Sequence, residues 1–127
     1  MEEFTAEELK TAVESLSSTI RKNKKVYDTL SKKEKPRVSQ MKMVEKNIRN
    51  LEVMRRLIEQ RQRNEEYECS MLEVEEVLGS LPNYRQQIEK VLPKFKEGTP
   101  QHTLAIRRLD SYAIVEVLLK EALENLR

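Results

Sequence analysis

The chain has 127 residues, enough for one domain with one core and too few for two ordinary domains. Glycine occurs twice, proline four times and tryptophan never, while 36% of residues are charged and 38% are hydrophobic. That composition excludes a turn-rich sandwich, a barrel or a collagen-like chain, and it is too apolar for simple disorder. The 24 basic and 22 acidic side chains nearly cancel, to a formal +2.

Helix signals begin at once. Thr5 and Glu8 stand in T-x-x-E spacing, a capping box, with Phe4 and Leu9 at the positions of a hydrophobic staple. Leu9, Val13, Leu16, Ile20, Asn23, Tyr27 and Leu30 then recur at steps of four and three, one helix stripe with Asn23 as its polar interruption. Such an asparagine sets helix register. Residues 31–36 read as a turn. A second helix is expected from about Pro36 to the mid-sixties, burying Met41, Val44, Ile48, Leu51, Met54, Leu57 and Ile58. The polar stretch from Glu59 to Glu68 is either its solvated end or the connection.

Ser70 and Glu73 repeat the capping signature and open a third helix through Met71, Val74, Val77 and Leu78. Gly79 and Pro82 are expected to break or kink it, since proline lacks a backbone donor and clashes with the preceding turn. Tyr84, Ile88, Val91, Leu92 and Phe95 continue the apolar face, with Pro93 a second irregularity. Gly98 reads as a stop, and Thr99-Pro100 as a cap with proline at the first helical position. The last helix, about 100–126, is apolar nearly all round and should be central.

These elements predict an all-α fold, an antiparallel four-helix bundle of two αα-hairpins, with the third helix kinked near Pro82. Hairpin 1 spans about residues 5–66 and hairpin 2 about 70–126 of a single domain. Sliding residues 8–26 onto 73–91 gives five identities, and an offset of 61 aligns the following helices. An internal duplication would explain this, with the first turn about four residues longer. Any two amphipathic helices can also be slid into apolar register.

The small net charge hides alternating blocks. Residues 1–19 sum to −4, residues 20–63 to +10, residues 64–79 to −6, residues 80–108 to +4 and residues 109–127 to −2. In the expected bundle both hairpin turns share one end. Lys32, Lys33, Lys35, Arg37, Lys94 and Lys96 would then crowd a basic pole, a candidate surface for an anionic partner. Glu65, Glu66, Glu68 and Glu73 would lie at the other pole near Glu2 and Glu3. Lysine-rich helix ends are also ordinary solvated surface, favoured near helix C-termini by the helix dipole. The basic loop lacks stacking aromatics, and no helix-turn-helix pattern appears.

Chemistry-bearing motifs are sparse. The one histidine, His102, is preceded three residues earlier by Thr99, which excludes the paired Glu-x-x-His ligands of a di-iron bundle. All-α pyrophosphohydrolases of the MazG type hold magnesium with E-x-x-E followed by E-x-x-D on a neighbouring helix. Glu65-x-x-Glu68, Glu73-x-x-Glu76 and Glu121-x-x-Glu124 supply the first spacing, but the second is missing, and both Asp28 and Asp110 lie elsewhere. Cys69 excludes a disulfide framework, and its acidic neighbours oppose thiolate chemistry. Arg107 and Asp110 are spaced for an i,i+3 ion pair.

No secretory signal or membrane-spanning run is seen, so a soluble cytoplasmic setting is expected. The sequence therefore predicts a non-catalytic helical bundle with no cofactor or bound metal, acting by contact with a protein partner. The stripes could equally serve a second copy of the chain in a homo-oligomer. The alternative is nucleic-acid binding through the basic tips. A MazG-like metal-dependent nucleotide pyrophosphohydrolase is the remaining alternative, and the motif spacing opposes it.

Overall fold

The computed structural model describes residues 3–126, and among them every regular element is helical. Helix α1 spans Ala6–Ser31, α2 Val38–Gln62, α3 Met71–Val91 and α4 Pro100–Asn125, with a 3-10 turn at Leu92–Lys94. Helix starts follow their caps. Thr5 Oγ1 accepts from the Glu8 N–H at 3.0 Å, and the Thr5 N–H donates to Glu8 Oε1 at 2.9 Å. Ser70 and Glu73 repeat both bonds at 3.1 and 2.9 Å. Each box satisfies donors that a helix N-terminus otherwise leaves open. Thr99 caps α4 through the His102 N–H at 3.3 Å, with Pro100 in its first turn. Gly98, just before that cap, adopts φ 84°, which glycine reaches without strain.

The stretch after α2 resolves as a connection. Asn64 takes φ 55°, a left-handed conformation asparagine tolerates, and the Glu65 N–H reaches back to the Gln60 carbonyl at 2.9 Å. With the Asn64 N–H on the Arg61 carbonyl at 3.2 Å, this is a Schellman ending. The Gln60 side chain is buried and accepts from the Glu68 N–H at 3.0 Å, which folds the connection back along the helix.

Two expectations about the third helix need correction. α3 runs unbroken through Gly79 and Pro82. Both residues are exposed, so the Leu78 carbonyl that Pro82 leaves without its donor is lost on the side open to water. The helix instead ends at Val91, where Pro93 removes another donor and the chain tightens into the 3-10 turn. Leu92 and Phe95 still pack against the core, but outside the helix. The α1–α2 connection, residues 32–37, is consequently shorter than the α3–α4 connection, residues 92–99, the reverse of what the offset alignment implied.

At Gly79 an added Cβ would meet nothing within 4 Å. Gly79→Ala is therefore expected to stabilise the protein by about 1 kcal/mol, because alanine loses less backbone entropy in a helix interior. A urea midpoint that stays the same or falls would contradict this.

One cluster of buried residues draws on all four helices: Leu16 and Ile20 from α1, Met54, Leu57 and Ile58 from α2, Val74, Val77 and Leu81 from α3, and Val115, Leu118 and Leu119 from α4. Helices α2 and α4 each pack against the other three, so the apolar last helix is central as its composition indicates, and α2 shares that place. The Asn23 interruption stays within its own helix, its Nδ2 donating to the Thr19 carbonyl at 2.9 Å.

The contact between α2 and α3 is partly polar. Asn50, 2% exposed, donates through Nδ2 to Ser80 Oγ at 3.2 Å and to the Tyr84 hydroxyl at 3.1 Å. That hydroxyl in turn donates to Asn47 Oδ1 at 2.8 Å. The α2–α4 contact is tied by Arg61, whose Nη1 donates to Glu121 Oε2 at 2.7 Å and to the Tyr67 hydroxyl at 3.1 Å. Arg85 and Glu116 join α3 to α4 at 2.8 Å, and the arginine holds the Glu116 carboxyl below its ordinary range.

Candidate functional site

The six cations singled out from the sequence all stand in connections. Lys32, Lys33, Lys35 and Arg37 follow α1, Lys94 ends the 3-10 turn, and Lys96 comes two residues later. All six are exposed, and among the described residues none enters an ion pair. The basic character extends well beyond them. Residues 21–49 carry eleven cations, every one exposed, against the acids Asp28, Glu34 and Glu45. Among the described residues, Lys24 alone of the eleven pairs with a carboxylate, Glu52 at 3.8 Å.

On the acidic side, Glu65, Glu66 and Glu68 are exposed in the α2–α3 connection, Glu3 is exposed before α1, and Glu2 lies outside the described residues. Glu73 is engaged. It caps the Ser70 N–H and receives Arg56 Nη2 on both oxygens at 3.0 Å. The Ser70 backbone bond, followed by the Arg56 charge, holds its carboxyl below the ordinary range against an opposing effect of burial.

Among the described residues no three His, Cys, Asp or Glu side chains converge as a metal site would require. The E-x-x-E carboxylates are spread out, with Glu73 on Arg56 and Glu121 on Arg61 and Tyr67. Burial, more than the acidic neighbours, pushes the Cys69 thiol up, with Glu73 adding to it and Arg56 opposing. His102 is partly buried at the start of α4.

The expected Arg107–Asp110 ion pair is not formed. Both residues instead line a cavity of about 640 Å³, a groove between the start of α1 and the middle of α4. Phe4, Ala12, Ala113, Ile114 and Val117 supply its apolar lining, and Glu7, Glu8, Asp110 and Arg107 are its charged groups. The last helix was read as apolar all round because α1 covers only part of that face. Ala113 is exposed and Val117 half-buried within the most apolar run of the chain. A signal for this was present, since apolar residues at three consecutive positions, Ala113, Ile114 and Val115, cannot all face one core.

Two smaller cavities, about 220 and 180 Å³, lie further along between α1, α3 and α4, the larger of them lined also by Asn47 and Leu51 of α2. They share Ile88, Val91 and Arg108.

No helix of the described residues is long and apolar enough to cross a membrane. Comparison with protein-family models, with curated proteins and with solved structures finds no match to this chain.

Proposed function

We propose that this chain is a non-catalytic cytoplasmic helical bundle that works by holding a helical segment of a partner protein in the α1–α4 groove. In this reading the four helices form one domain of two antiparallel αα-hairpins. Cross-helix contacts support that arrangement. Ser17 meets Arg55 while Lys24 meets Glu52, so one index rises as the other falls. Asn50 meets Tyr84 while Arg56 meets Glu73. Ala12 shares a cavity with Ile114, and Lys22 shares another with Leu104.

The observation that carries the functional reading is the groove itself. Ala12, Ser111 and Ala113 are small and leave room for close approach of a backbone. Ile114 and Val117 offer apolar surface, and Glu7, Glu8 and Asp110 set charges beside it. A helix laid in a groove is read through apolar anchors on one face, flanked by polar contacts. An exposed apolar groove left empty also carries a standing hydrophobic cost that a partner would relieve.

A second reading, nucleic-acid binding by the basic stretch, is favoured by the eleven exposed cations of residues 21–49, which make a single ion pair among the described residues. One experiment separates the two. Affinity capture from nuclease-treated extract is expected to recover a protein partner with the wild-type chain and to lose it at least about tenfold with Ala113→Arg, which fills the groove. Circular dichroism should remain helical in the variant, since Ala113 is exposed. Recovery of the same partner by both forms would overturn the groove reading. Loss of all capture on nuclease treatment would favour nucleic acid. Light scattering of the purified chain tells whether the groove is filled by a second copy.

A further inference from the structure

We propose that Lys22 and Arg108 form a binding site for a small organic phosphate, the phosphate held between the two cations and its apolar body laid against Val91, Phe95 and Leu104. The site is distinct from the α1–α4 groove and does not depend on how that groove is used.

Arg108 stands where the two smaller cavities adjoin and lines both of them. Lys22 of α1 lines the 180 Å³ cavity together with Gln101, Leu104 and Phe95. Asn23, Asn47 and Gln87 line the 220 Å³ one. No carboxylate lines either cavity, although the chain carries 22 acidic residues. Neither Lys22 nor Arg108 enters an ion pair among the described residues. Elsewhere Arg56, Arg61 and Arg85 each meet a glutamate at 3.0 Å or less.

The two cations line the same 180 Å³ cavity, one from α1 and one from α4. The Arg108 charge, with a smaller contribution from burial, holds the Lys22 ammonium below the ordinary lysine range. Two like charges brought together beside half-open cavities are unfavourable until an anion lies between them. A guanidinium and an ammonium are the side chains suited to bind a phosphate group, the first through its planar fork and the second as a point charge.

The size and lining select the rest of the ligand. Cavities of about 180 and 220 Å³ admit a small molecule and not a folded segment. Val91 and Leu104 are 37% and 44% exposed, large apolar side chains with room for a ring to cover them. Gln101 and Gln87 add neutral donors and acceptors at the two openings without adding negative charge. A bare inorganic phosphate would use the cations alone, whereas an organic phosphate would use both features.

The test is isothermal titration of the full chain at constant ionic strength, with phenyl phosphate and inorganic phosphate as separate probes. Phenyl phosphate is expected to bind, at least about tenfold more tightly than inorganic phosphate. The double variant Lys22→Gln/Arg108→Gln is expected to lose this binding. Without ligand, Lys22→Gln, at an exposed position, should unfold at the same or a higher temperature than wild type, because it removes a repulsion. A residue kept for folding would lower that temperature. Failure of phenyl phosphate to bind at about 10 mM, equal binding of the two probes, or undiminished binding in the double variant would each overturn the proposal.

Discussion

Leu118→Ala is expected to lower the unfolding free energy by about 3 kcal/mol. Leu118 is fully buried in α4, which like α2 meets the other three helices, so its removal opens a cavity in the core. Such a cavity collapses poorly, and the loss combines the transfer of the missing atoms with the void left behind. Domains of this size are stable by about 5–15 kcal/mol, so the change is a large fraction of the whole. The check is urea denaturation followed by helix ellipticity, with Leu104→Ala as control. Leu104 is 44% exposed, and its truncation should cost less than about 0.5 kcal/mol. A loss at Leu118 no greater than that at Leu104 would mean that α4 is not in the core.

The second large effect is polar. Asn50→Ala is expected to cost about 2–3 kcal/mol, well above the loss expected for an exposed asparagine. Asn50 is 2% exposed and donates to both Ser80 and Tyr84 across the α2–α3 contact. Truncation leaves Ser80 Oγ and the Tyr84 hydroxyl with one fewer partner and opens a small void at a buried position. Tyr84→Phe should cost about 1 kcal/mol, and a double-mutant cycle between the two should give a coupling above about 0.5 kcal/mol. Strict additivity would contradict a direct bond. The network also fixes register. Sliding α3 by one turn along α2 would separate Asn50 from at least one of its two partners, so the paired bonds favour one alignment of the two helices.

These two sites differ in how far the sequence revealed them. Leu118 belongs to the most apolar run of the chain, where a buried position is expected from composition. Asn50 sits one position before Leu51 in a helix whose apolar stripe was evident, yet its partner Tyr84 is 34 residues away, and no local pattern pairs them. The spacing of Asn47 and Asn50, one turn apart beside that stripe, was the available sign of a shared polar contact.

Local signals otherwise read well. The Thr5 and Ser70 capping boxes, the Thr99 cap and the Gly98 turn all follow from residue chemistry acting within four positions. Failures came where a local rule met a tertiary circumstance. Pro82 can break or kink a helix, yet α3 continues through it, since on an exposed face the lost bond can be exchanged for water. Arg107 and Asp110 have the spacing of a pair, but both line the α1–α4 groove without bonding each other. The groove itself was legible only as an excess of apolar residues in the last helix, because which of them α1 leaves uncovered depends on packing. Charge behaved in the same way. Alternating blocks are visible along the chain, while the juxtaposition of Lys22 with Arg108 joins residues 86 positions apart.

In the proposed arrangement the groove, the proposed organic-phosphate site and the basic surface would all take their positions from two hairpins lying side by side. Electron–electron distance measurement between spin labels tests that arrangement directly, in a Cys69→Ser background with cysteines placed at Lys33 and Lys96. With both turns at one end the separation should be below about 25 Å, set by neighbouring helices 8–10 Å apart plus the labels. Labels at Lys33 and Glu66 should instead lie about 38 Å apart, the length of a 25-residue helix. A Lys33–Lys96 distance as long as the Lys33–Glu66 distance would place the turns at opposite ends and contradict the two-hairpin bundle.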